Sequence, residues 1–185
     1  MEVKQRGGSL RSSERVEPEE YSRRVSSKLE GAVSGAEVRF GQVWGTATRE
    51  RWVEAVRTLR EDPELACDYL TLISAIDWQE KGFEVVAIFY SIRHLTTVRL
   101  KVAVPKEDPH LPSLTGVFRG ANWHERVAAE MFGITFDGHP FPVKLYLPED
   151  FQGHPLLKSF RLASRAYKPW PGAKDPSEAS AGGRG

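Results

Sequence analysis

An α+β fold is what this sequence predicts: a mixed or antiparallel sheet with helices on one face, followed by an extended, proline-rich C-terminal segment. Three observations carry that expectation. Residues 69–104 hold three apolar-periodic runs joined by short turn-forming connections, the pattern of an antiparallel meander. Helical spacing recurs on both sides of that block, so helices precede and follow the sheet. Gly138-His139-Pro140 then returns as Gly153-His154-Pro155, with Pro142 and Pro148 between, and the missing backbone donors exclude interior helix or central strand there.

Taken in order, residues 1–17 are polar and rich in Ser, Gly and Arg, and read as a disordered tail. Pro18 suits a first helical turn, Glu19 and Glu20 suit its positive end, Tyr21, Val25 and Leu29 form its apolar face, and Gly31 ends it. Residues 37–44 read as one strand, with Val38, Phe40 and Trp44 on one side and Glu37 and Arg39 on the other. Thr48 is the expected cap of a second helix, whose stripe is Trp52, Val53, Val56 and Leu59, and Pro63 breaks the chain before a short turn through Leu65 and Ala66.

Strands follow at 69–78, 83–92 and 97–104, the first two joined by a turn at 79–82. The middle one is apolar on both faces, as expected for a strand at the centre of a sheet covered on both sides. The last alternates, with Val98, Leu100, Val102 and Val104 inward and Arg99 and Lys101 outward. Residues 105–112 read as loop. The next helix carries Trp123, Val127 and Met131 at i, i+4 and i+8 as its apolar face, with Arg126 and Glu130 beside them as an ion pair. Gly133 stops it, residues 134–136 are extended, and Asp137-Gly138 is a turn pair. The expected layout is one domain at 18–160, including a docking segment at 134–160, and a flexible tail at 161–185 in which Trp170 could anchor on another surface.

Composition narrows the function classes. The 185 residues suit one domain of ordinary size, ~100–150 residues, with tails. With 26 basic and 25 acidic residues there is no global field to recruit nucleic acid or an anionic membrane surface. The single cysteine, Cys67, permits no intrachain disulfide and cannot by itself hold an iron–sulfur cluster, which needs about four ligands. The first thirty residues lack an apolar run and no stretch reaches the ~20 apolar residues of a membrane helix, so a protein without a leader, kept inside the cell and carried to any membrane by others, is expected.

The candidate chemical residues read mostly as structural. His124-Glu125 lacks a second histidine four residues on, so the two-histidine zinc face of a helix is not made. His139 and His154 sit in proline-restricted loops and could meet only if the fold brings them together. Glu125 and Glu130, five apart and ~140° around a helix, point differently, which argues against an acid–base pair. Arg126 offers a planar fork suited to clamping a carboxylate of its own fold or of a neighbour. Neither a Gly-rich dinucleotide fingerprint, a Walker loop nor a nucleophile elbow is present. A free-standing hydrolase using His124, Glu125 or His139 remains the rival of a different class.

Asn122-Trp123-His124-Glu125-Arg126, then Glu130-Met131-Phe132-Gly133-Ile134, His139-Pro140 and Gly153-His154-Pro155-Leu156 before Lys158, resemble the 30-kDa subunit family of respiratory complex I, the C-type subunit of bacterial NADH:quinone oxidoreductase. The chain departs from that family's pattern at Val127, Val143, Leu157 and Ser159, where charged residues are usual. The resemblance implies a non-catalytic scaffold in the peripheral arm of a proton-translocating enzyme, at the cytoplasmic face of the cell membrane. It further implies packing on the 49-kDa-type subunit near the quinone site, with the cluster-bearing subunits B and I of the same complex nearby. Iron–sulfur clusters, FMN and quinone would be held by those partners and none by this chain. The interface residues it implies are Trp123, Glu125, Arg126, Glu130, Phe132, Gly133, His139, Pro140, Gly153, His154, Pro155 and Lys158. The homologous subunit of a membrane-bound [NiFe]-hydrogenase or formate hydrogenlyase-type complex is the alternative.

Overall fold

Pro18 opens helix α1 (Pro18–Lys28), which buries Tyr21 and Val25 as their spacing predicts. The computed structural model describes residues 14–162. The strands are β1 (Val33–Arg39), β2 (Gln42–Ala47), β3 (Tyr69–Asp77), β4 (Phe83–Ser91) and β5 (Thr96–Val104), and they form one mixed sheet in the order β1-β2-β5-β4-β3. The antiparallel meander β3-β4-β5 is as read from sequence. Strand β2 joins it parallel to β5, with Trp44 beside Arg99. Helix α2 (Trp52–Glu61) buries Trp52, Ala55, Val56 and Leu59 on the inner face of the sheet. Helix α3 (Ala121–Phe132) lies against β3. A short parallel pair, β6 (His110–Pro112) with β7 (Thr135–Asp137), ties the ends of the loop and helix together.

Several sequence expectations are corrected here. Residues 37–44 are not one strand but the two arms of a hairpin; Phe40 and Gly41, at φ 52° and 69°, make its two-residue turn, and Phe40 is exposed. Positive φ at both central residues matches the right-handed twist of the arms. Thr48 does not cap α2, which starts at Trp52 after Arg51. The supposed loop 105–112 contains β6. Residues 14–17 are not free tail, because the Glu14 and Val16 amides donate to the carbonyls of Arg93 and His94. The readings that fall on residues 1–13 and 163–185, Trp170 included, lie outside the described residues.

Helix α3 turns a different face inward from the one expected. Ala121, Glu125, Ala128 and Phe132 are buried, while Trp123 is 62 % exposed and Val127 and Met131 are half-buried. Two alanines allow the helix to approach the sheet closely, and that closeness is what encloses a carboxylate. Strand β4 also departs from expectation. Its Phe83, Val85, Ala87 and Phe89 side enters the core, but the Val86, Ile88 and Tyr90 side is only half-buried, because α1, α2 and α3 pack on the other face.

Candidate functional site

Glu125 stands on the inner face of α3 with its side chain closed off from solvent. The Leu114 amide donates to its Oε1 and the Ser113 hydroxyl to its Oε2, both at 2.6 Å. Burial outweighs those two donors and pushes its carboxyl up to about 7. His139 Nε2 lies 4.0 Å from Oε2. The His139 ring is fixed as well: the Phe141 amide donates to Nδ1 at 3.0 Å, so Nε2 carries the proton and donates to the Asn122 carbonyl at 3.1 Å. Glu125, Arg126, Gly133, His139 and His154 share a cleft of about 570 Å³. The fold thus does bring the two loop histidines to one place.

Arg126 and Glu130 do not pair with each other, contrary to their i, i+4 spacing. They clasp the extended chain instead. Arg126 donates through Nε to the Val143 carbonyl at 2.6 Å and through Nη2 to that of Lys144 at 2.9 Å. Within this chain it clamps two carbonyls and no carboxylate of its own fold. Its guanidinium lies over the rings of Trp123 and Phe141, 5.9 and 5.2 Å from their centroids. The Glu130 carboxylate accepts from the Leu145, Tyr146 and Leu147 amides, at 2.8–3.4 Å. A carboxylate facing successive amides is a charge-assisted arrangement, stronger per bond than a neutral one. The ammonium of Lys144 closes the next turn by donating to the carbonyls of Pro148, Glu149 and Phe151.

The second Gly-His-Pro pins the far end of the strap. His154 Nδ1 donates to the Glu130 carbonyl at 2.8 Å, and the ring lies on Gly133, where an added Cβ would stand 2.8 Å from Nε2. Gly133 also takes φ 77° as the helix C-cap, so both space and backbone require glycine. Gly153, at φ 86°, leaves room for the Phe160 ring, which stacks on Phe151. The Leu156 amide donates to the Met131 carbonyl, and the Lys158 amide to Asp77 Oδ2 at 2.8 Å. The Lys158 ammonium reaches over Trp78. Phe132 is in the core, and Pro140 and Pro155 shape the turns without side-chain bonds.

This geometry holds a strap by its backbone and turns Phe141, Val143, Tyr146 and Leu156 outward, while Leu145, Leu147, Phe151, Leu157 and Phe160 are half-buried. Among the described residues, no group of three or more His, Cys, Asp or Glu is placed to hold a metal ion, and no helix is long and apolar enough to cross a membrane.

The family model of the respiratory-chain NADH dehydrogenase 30 Kd subunit matches residues 46–166. The chain belongs to that family. The C-type subunit of the NADH-quinone oxidoreductase of Roseiflexus sp. is 39% identical over 143 residues, covering 76% of this chain and 82% of that one. The second C-type subunit of the Rhizobium meliloti enzyme is 40% identical over 144, covering 75% and 78%. Against the C-type subunit of Mycolicibacterium gilvum, 42% identical over 117 residues, 62% of this chain spans 52% of the relative. Among solved structures, a trypsin-resistant fragment of Nqo5 superimposes with a TM-score of 0.56 at 27% identity, covering 64% of this chain and 96% of the fragment. A chain of an archaeal membrane-bound sulfane sulfur reductase shares the fold, with a TM-score of 0.58 at 20% identity over 65% of this chain and 71% of that one.

In this 30-kDa-type chain the strap also depends on residues that sequence reasoning did not single out. Ser113, Asp77 and Lys144 each bond to it or to Glu125. Asp77 left one trace, an Asx turn in which it accepts the Gln79 amide. Its bond to Lys158, eighty-one positions away, left none.

Proposed function

We propose that this chain is a cofactor-free scaffold of a proton-translocating NADH:quinone oxidoreductase, whose strap, residues 138–160, docks on a neighbouring protein of the assembly. One observation carries this. The strap's backbone is bonded to α3 through Arg126, Glu130 and His154, while Phe141, Val143, Tyr146 and Leu156 face solvent, as they would if their cover were another protein. The names of the relatives support an NADH-quinone oxidoreductase as the assembly. The neighbour is the 49-kDa-type subunit near the quinone site, with the cluster-bearing subunits B and I close by. Electrons pass through iron–sulfur clusters, FMN and quinone held by those partners. The chain then sits at the cytoplasmic face of the cell membrane through its partners and has no turnover of its own. Its contribution is buried area, and obligate interfaces commonly cover ~2,000–5,000 Å².

Arg126→Ala tests the reading. Blue-native gels of the variant are expected to show lost or unstable complex, since the strap loses the guanidinium that holds residues 143 and 144. A fully assembled complex with slow turnover would point to a chemical role in its place. Copurified partners separate the enzyme class: a nickel-bearing large subunit would favour the hydrogenase-type complex.

A further inference from the structure

The inner face of the sheet is filled by three helices, but the outer face has no cover among the described residues. Strand register orders it. Leu72 on β3 lies beside Ile88 on β4, Ile88 beside Arg99 on β5, and Arg99 beside Trp44 on β2. One row on, Val86 on β4 lies between the polar Ser74 on β3 and Lys101 on β5, with Thr46 beyond, and in the next row Ile76 lies beside Glu84. Leu72 is 37% and Ile76 41% exposed, and Tyr90 flanks them. The face is therefore an apolar strip on β3-β4 beside a cationic strip on β5.

Arg39, Arg99 and Lys101 stand on this face against Glu37 and Glu84, and since Arg39 pairs with Glu37 and Lys101 with Glu84, Arg99 is the cation left in excess among the described residues. Arg99 donates to the Gln42 side-chain oxygen and lies 4.9 Å from the Trp44 ring centroid, with no carboxylate in ion-pair reach among the described residues. Lys101 meets one acid, Glu84, at 3.3 Å. Four strands at ~4.8 Å spacing span ~14 Å, close to the ~10–12 Å diameter of a single helix. Strand β4, apolar on both sides, has the composition of a strand covered twice.

We infer that the outer face of the sheet receives an amphipathic helix of another protein in the same assembly, its apolar side on Leu72, Ile76 and Ile88 and its acidic side over Arg99 and Lys101. The inference rests on the scaffold reading above and adds to the strap a second, separate contact on the opposite side of the core. A second copy of this chain fits the charge pattern worse, because it would bring another Arg99 and Lys101 to the same layer.

A photo-crosslinking p-benzoylphenylalanine at Leu72, in the complex purified from its own cells, tests this, with the same probe at Tyr146 as control. The Leu72 probe is expected to label a helix of a different protein, with Asp or Glu three or four positions from the linked residue. A link to this chain, or none while Tyr146 links to a partner, overturns the sheet inference and leaves the scaffold reading standing. Failure of both probes to reach another protein overturns both. Separately, Arg99→Glu is expected to lower the assembled fraction about tenfold, roughly 1.4 kcal/mol, with the melting temperature of the isolated chain unchanged. Unaltered assembly, or a chain that no longer folds, would show Arg99 serving only this chain.

Discussion

Glu125 links the interior of the molecule to pH. Its carboxyl, ordinarily near 4.5, is raised to about 7 by burial, so the folded state binds a proton that the unfolded chain has already released between those values. A group raised in this way contributes fully below about pH 4.5, and the contribution is lost as pH climbs through about 7. Urea unfolding at pH 5 and pH 8 should show the wild type losing on the order of 2 kcal/mol that Glu125→Gln keeps; equal losses would contradict the burial argument. Gly133→Ala is expected to cost ~1–3 kcal/mol, because a Cβ there needs a left-handed backbone and meets the His154 ring. Chemical denaturation measures it, and a neutral result would mean that His154 moves freely. At this scale, the motif positions were readable from the sequence while several of their jobs were not. Arg126 and Glu130 have the spacing of an ion pair, yet each finds backbone groups fifteen or more positions away, and nothing local marks such partners.

Among elements, the strap is the one whose stability is separable from the core. It contributes few buried side chains and is held by polar bonds to α3, so it should open without unfolding the sheet. Glu130→Ala removes the acceptor for three amides and leaves them unmatched. Amide exchange at residues 145–147 is expected to rise by at least about tenfold, a local loss of ~1–3 kcal/mol, with β4 and β5 unchanged; equal acceleration everywhere would show that strap and core unfold together. The meander was legible because three apolar runs follow one another across short turn-forming connections, and each proves to be a nine-residue strand. The β1-β2 hairpin was not, since Phe40-Gly41 lacks the usual Asn-Gly signature and an apolar Phe40 disguised the turn as strand. Strand β6, three residues ending in Pro112, is too short for periodicity to reveal. On α3 the larger side chains pointed to the wrong face, because the true one is made of alanines around a glutamate.

The molecule as a whole is a well-packed core carrying a thinner appendage. Among the described residues, trypsin acting on the isolated chain should cut first after Arg161 and Lys158, both exposed, and later after Lys144, whose ammonium is engaged with three carbonyls. Mass spectrometry should then find the sheet and helices surviving, since their backbone is paired or packed in the core. Early cleavage after Arg99 or Lys101 would contradict it. The parallel contact of β2 with β5 has a consequence for how the chain is made. Residues 42–47 leave the ribosome long before residues 96–104, so the first hairpin must wait, its inner edge unclaimed, until the later strand has been synthesised. Two stretches some fifty positions apart must therefore both have emerged before the sheet is continuous from edge to edge.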